Sequence, residues 1–212
     1  MYETYEAGIR GGISMIPHRY ALANNCYFYD NKIGKTVKLS KEKAIEKGIY
    51  NSKKHVSYIL YLDANNLYGY ALSQPLPIGE FKYEDVNDFT LETIKNLPYY
   101  GEYGYTFLVD LDIPLELHDK FKNYPMLPEH YVPSYDELSE YQKEMISKGI
   151  GKIPTGAKLM CTLKSKNNYL IDYRMLQECF NQGIILKDIK KVISFRQKAW
   201  LKPYIDLNTK LR

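Results

Sequence analysis

Asp63 is the residue of this 212-residue chain whose type and setting are best suited to chemistry. It follows an apolar run at 56–62 (VSYILYL) and precedes Ala64, the pair Asn65 and Asn66, then Leu67, Tyr68 and Gly69. The pattern predicts a buried strand that stops at a carboxylate and turns at once into a short helix over 65–73. A carboxylate at a strand end can meet a divalent cation, and the first N–H groups of a helix face anions such as phosphates. The plainer reading is that Asp63 or Asn65 only caps the helix. Pro75 and Pro77 close the segment.

Other groups carry less. Gly8, Arg10, Gly11 and Gly12 form a glycine-rich turn in which backbone could approach a phosphate and Arg10 could supply charge. Asp110 and Asp112 share one face of a predicted strand at 103–113, where solvent-facing alternation accounts for them. His118, Asp119 and His130 lack metal-ligand spacing. Cys26, Cys161 and Cys179 form no CxxC pair, which argues against a zinc site or a disulfide framework and for a reducing compartment. Lys198, Lys202, Lys210 and Arg212 read as a solvated helix face.

The elements that must position these groups are mixed. Ser40 predicts the N-cap, and Gly48 the stop, of a surface helix in SKEKAIEKG. Alternation at 103–113 places Tyr105, Phe107, Val109, Leu111 and Ile113 on one face. A polar helix is expected near 135–148, a strand at 158–163, a helix over 168–182 ended by Gly183, and a strand at 184–195. A last stripe (Leu201, Tyr204, Ile205, Asn208, Leu211) tolerates Pro203 only in a first turn. The order predicts an α+β fold around a sheet, with Asp63 near the sheet's centre.

A net charge of +4 permits a polyanionic partner without requiring one. The 22 tyrosines, alongside many Lys, Asn and Ile, are accounted for by AT-rich codon usage more readily than by base stacking. No apolar run approaches the roughly 18 residues of a membrane span, and the first residues lack the features of a signal peptide. An intracellular, non-membrane protein is expected.

The string YLDANNLYGYALSQPLP at 61–77 resembles motif A of family B DNA polymerases. The likeness is to the protein-primed branch found in Polinton-like mobile elements, linear plasmids and related viruses. It departs at Leu72, where that family usually has Met. IRGGIS at 9–14 resembles the YxGG-type motif between the exonuclease and polymerase domains, with Ile9 replacing the usual aromatic. HRYALANN at 18–25 and the stretches 105–114, 118–129, 158–176 and 198–212 are also similar to that group.

The resemblance implies an antiparallel palm-like sheet with flanking helices, part of a right-hand polymerase fold. It implies a junction segment at 1–54, a partial palm at 55–212 and an irregular insertion at about 114–156. Asp63 would be one of two carboxylates holding a pair of Mg²⁺ ions, and the Ala64 carbonyl would complete one shell. The amides of Asn65, Asn66 and Leu67 would lie near the triphosphate; Asn66 stands where many relatives have Ser. Tyr68 would be the steric gate against a ribose 2′-OH. Arg10, Gly11 and Gly12 would approach the template strand. Primer-template DNA, deoxynucleoside triphosphates and a terminal priming protein would be the partners. The fingers-lysine and DTD-type motifs of that family do not occur in these residues, so they are expected to be inert alone. The alternative is a non-catalytic nucleic-acid-binding remnant.

Overall fold

The computed structural model describes residues 1–11, 13, 15, 16 and 20–211. They fold as two compact units, Met1–Met15 with Tyr68–Arg212 and Ile16–Leu67. Residues 55–67 belong to the smaller unit.

In the larger unit a helix α1 (Tyr2–Ala7) precedes a four-stranded antiparallel sheet of order β3-β8-β4-β7. Its strands are β3 (Leu76–Glu84), β4 (Tyr103–Asp112), β7 (Lys166–Asp172) and β8 (Ile185–Lys198). β4 is central because its alternation buries one whole face: Phe107, Val109 and Leu111 are shielded from solvent, and Ile113 follows them. Phe107 lies opposite Ile171 of β7 and Val192 of β8. Gly104 of the same strand leaves no room for a side chain, since a Cβ there would lie 2.4 Å from the Phe195 ring.

Helix α7 (Tyr173–Gln182) covers that face with Leu176, Cys179 and Phe180, and α4 (Leu91–Lys95) adds Ile94. Asp172 caps α7 by accepting from the Arg174 N–H at 2.9 Å. Gly183 ends it at φ +96°, where Ile184 N–H reaches back to the Cys179 carbonyl at 2.9 Å. Burial pushes the Cys179 thiol up to about 12, so it behaves as a small apolar core group.

The helix expected over 168–182 therefore begins only at Tyr173, and 168–172 belong to β7. Tyr169 and Leu170 fit either period, and pairing with β4 decides for the strand. Beyond β4 the segment at 114–156 is more ordered than the irregular insertion expected. It holds α5 (Leu115–Phe121), β5 (Glu129–Tyr131) and α6 (Glu140–Ser147), and β5 pairs with β6 (Lys158–Met160). The chain's last helix, α8 (Lys202–Leu211), carries Pro203 in its first turn, as the sequence requires.

The smaller unit is a hairpin, β1 (Tyr27–Asp30) and β2 (Lys35–Lys38), followed by α2 (Lys41–Glu46). Ser40 caps α2 through the Lys43 N–H, and Gly48 follows at φ +70°. Asn24 knits the unit together. Its amide donates to the carbonyls of Asn51, Lys54 and His55 at 3.1, 3.2 and 2.9 Å and accepts from Asn51 N–H at 2.6 Å.

Residues 56–62 are not the buried strand that their composition predicts. They run as irregular chain with exposed side chains, Tyr61 reaching 89% exposure. Every strand of the four-stranded sheet comes from other residues, and an apolar run becomes a strand only when a neighbour completes its hydrogen bonds. Here Ser57 is tied back, its N–H to the Asn24 carbonyl at 3.1 Å and its carbonyl to the Asn25 amide at 2.8 Å, and Tyr58 meets the Tyr27 ring. Asp63, expected at a strand end, consequently lies outside every strand.

Candidate functional site

From Asp63 the chain runs through Ala64 without regular structure, turns at Asn65 and Asn66, and enters helix α3 (Leu67–Ser73). Asn66 takes the left-handed conformation at φ +53°, which Asn tolerates better than most side chains. The helix begins two residues later than expected, so Asn65 and Asn66 form its entry turn and Leu67 its first residue. Asp63 and Ala64 are exposed, and the Tyr68 ring is 88% exposed. Gly69 beside it is buried. The ring is thus available to a ligand and contributes nothing to the core. Asp63 to Leu67 belong to the smaller unit and Tyr68 to the larger.

The donors fit a metal pair only in part. Asp63 offers one carboxylate and Ala64 one carbonyl, and among the described residues no three His, Cys, Asp or Glu side chains gather to hold an ion. Asp110 and Asp112 do not add to the set. Asp110 pairs with Lys190 at 3.2 Å and accepts from Asn168 N–H at 2.8 Å. Asp112 accepts from the Ser165 hydroxyl at 2.5 Å and faces Lys187 at 3.8 Å. Both carboxylates are committed to a charged face of the sheet. His118 is also occupied locally, its Nε2 lying 3.1 Å from the Ile113 carbonyl.

Arg10 is held inside the larger unit. Its guanidinium donates to the Leu170 carbonyl at 2.8 Å and to the Gly8 carbonyl at 3.1 Å, and stacks 3.7 Å from the centre of the Tyr169 ring. Arg10, expected to approach a template strand, here satisfies a carbonyl of β7, which forms one edge of the sheet. Tyr169 in turn donates to the Pro128 carbonyl at 3.0 Å, and burial pushes its phenol up to about 12, so it stays a neutral donor at physiological pH. Replacing Arg10 by Ala should cost about 1–2 kcal/mol through the lost charged hydrogen bond and ring contact. Thermal denaturation checks this; an unchanged midpoint would mean that the contacts carry no stability.

Of the nearby glycines, Gly8 is the one packing demands. A Cβ there would sit 2.3 Å from Leu170 Cδ2, whereas at Gly11 it would meet nothing within 4 Å. Gly12 lies outside the described residues. The sequence points to Arg10, Gly11 and Gly12 rather than Gly8 because the partner of Gly8, Leu170, lies far along the chain and leaves no local mark.

A second buried charge also escaped the sequence. Lys166 of β7 is wholly buried and donates to Glu129 at 2.5 Å and to the Thr162 hydroxyl and carbonyl at 2.7 and 3.1 Å. Burial pulls its ammonium below the usual lysine range, while the Glu129 carboxylate opposes that shift. The network ties β5 to the sheet. Lys164 and Tyr131 beside it both engage Glu137, whose carboxyl is held down to about 2, chiefly by Lys164.

Comparison with protein-family models, curated proteins and solved structures finds no match to this chain. No helix among the described residues is long and apolar enough to cross a membrane.

Proposed function

We propose that this chain is part of a DNA-templated DNA polymerase of the protein-primed family B type, contributing a carboxylate and a sugar-discriminating ring to its nucleotide site. The observation that carries the reading is the 61–77 string, in which Asp63 and Tyr68 flank a turn into a helix and the tyrosine ring stands clear of the core. In such a site Mg²⁺ would neutralise triphosphate charge and activate a primer 3′-OH. Asp63 would bind through its carboxylate and Ala64 through its carbonyl, the remaining donors coming from outside these residues. The Asn65–Leu67 amides would orient phosphate oxygens, and the Tyr68 ring would lie under the sugar and exclude a 2′-OH.

A second reading, a nucleic-acid-binding remnant without catalysis, is favoured by one observation. Residues 56–62 join no sheet, so Asp63 is not braced as a palm carboxylate would be.

Primer extension by the product of the complete gene separates the two. The polymerase reading expects deoxynucleotide addition, and a Tyr68→Val variant that keeps this activity but admits ribonucleotides about 10- to 100-fold more readily, the loss of roughly 1–3 kcal/mol of steric discrimination. Extension with unchanged sugar selectivity would reject the gate. No extension by the wild-type protein would favour the remnant.

A further inference from the structure

We propose that the outer face of the β1–β2 hairpin binds single-stranded nucleic acid. The inference stands on the smaller unit alone and does not need Asp63 or the polymerase reading.

Charge supplies the first observation. Residues 16–67 hold nine Lys and Arg against four Asp and Glu, a formal +5, in a chain whose total is only +4. The basic character of the protein therefore resides in this unit, and the larger one is nearly neutral. The distribution of ion pairs sharpens the contrast. Every ion pair among the described residues joins side chains of the larger unit; no described lysine of the smaller unit lies within 4.0 Å of an acidic oxygen. Cations without a close acidic partner keep a counterion atmosphere, which a polyanion displaces on binding.

Ring geometry supplies the second. Strand alternation puts Tyr27 and Tyr29 on one face of the hairpin, with Lys38 and Thr36 directly across from them. Phe28 and Val37 turn to the other face, where the Lys47 ammonium lies 4.5 Å from the Phe28 ring. Tyr58 joins the outer face, its ring centre 6.4 Å from that of Tyr27. Tyr29 is 57% and Tyr58 68% exposed. Three open aromatic rings with a lysine among them form a platform on which unpaired bases can stack while the cation follows the backbone.

The same features argue against other occupants. A duplex hides its base faces within the stack, and the outer face of the two strands presents no aliphatic side chain to enter a lipid acyl region.

The test uses the full 212-residue chain with a fluorescein-labelled 20-mer of deoxythymidine, a 20-base-pair duplex and phosphatidylserine vesicles, each titrated across a range of KCl. The 20-mer should bind at least about tenfold more tightly than the duplex. Tyr29→Ala and Tyr58→Ala should each weaken it about tenfold and leave the salt dependence unchanged, and Tyr29→Phe should restore affinity. Lys38→Gln should instead reduce the slope of log affinity against log salt by about 0.7. Equal affinity for the duplex, full binding by the double Tyr→Ala variant, failure of Tyr29→Phe to restore binding, or tighter binding to vesicles would each overturn the proposal. The two readings fail separately. A 20-mer bound through Tyr29, with no primer extension by the complete gene product, would leave this site standing and remove the polymerase; extension with binding indifferent to Tyr29 would do the reverse.

Discussion

Replacing Asp63 by alanine should lower nucleotide addition by the complete gene product about 10³-fold or more, the scale on which a group that stabilises developing phosphoryl charge is lost. The informative companion is Asp63→Asn. Asparagine keeps the size and hydrogen-bonding capacity of aspartate without its charge, so a residue that serves only the local turn before α3 would tolerate the change. A residue that must present negative charge to a cation would not. Both variants are therefore expected to fall together in a primer-extension assay, with thermal midpoints near that of the parent because the side chain is exposed. Near-normal activity in Asp63→Asn would show that its charge is dispensable and remove the main support for the polymerase reading.

Phe107→Ala should destabilise the larger unit by about 3–5 kcal/mol. The ring is completely buried at the middle of the sheet, between β7 and β8, with the Phe89 ring edge-on at 5.4 Å. Its loss removes the transfer energy of a large side chain and leaves a cavity that flanking strands cannot close, since their register fixes them on both sides. Against a typical net stability of about 5–15 kcal/mol, the loss is a large fraction. Urea denaturation followed by far-UV circular dichroism measures it, and a change below about 1 kcal/mol would show that the centre of the sheet repacks freely.

Local signals in the chain were legible where the structure depends on neighbours close in sequence. The two-residue alternation of β4, the Ser40 cap, the left-handed Gly183 and the stripe of α8 all follow from a residue and those within a few positions of it. What escaped depends on distant partners. Tyr169 and Leu170 satisfy the helical period, yet β4 claims them as a strand. β3 was hidden by Pro77 and Gly79, residues that its place at the sheet edge and its register shifts accommodate. The run at 56–62 has the composition of a strand and no strand beside it. At the candidate site, a short helix soon after Asp63 follows from the local pattern, whereas its start at Leu67 and the capture of Arg10 by Leu170 and Tyr169 were not legible there. The aromatic face of the hairpin was missed for the same reason, because its third ring arrives from residue 58.

Residues 56–62 contain no charge and no proline, and they expose their large side chains to water. Such a heptad, left without a neighbouring strand, is a template on which copies of the chain can stack into cross-β fibrils. Its gatekeepers are the charges at its ends, Lys53 and Lys54 before it and Asp63 after it. The acid proposed for nucleotide chemistry is thus also a charge that flanks this run and opposes its stacking against copies of itself.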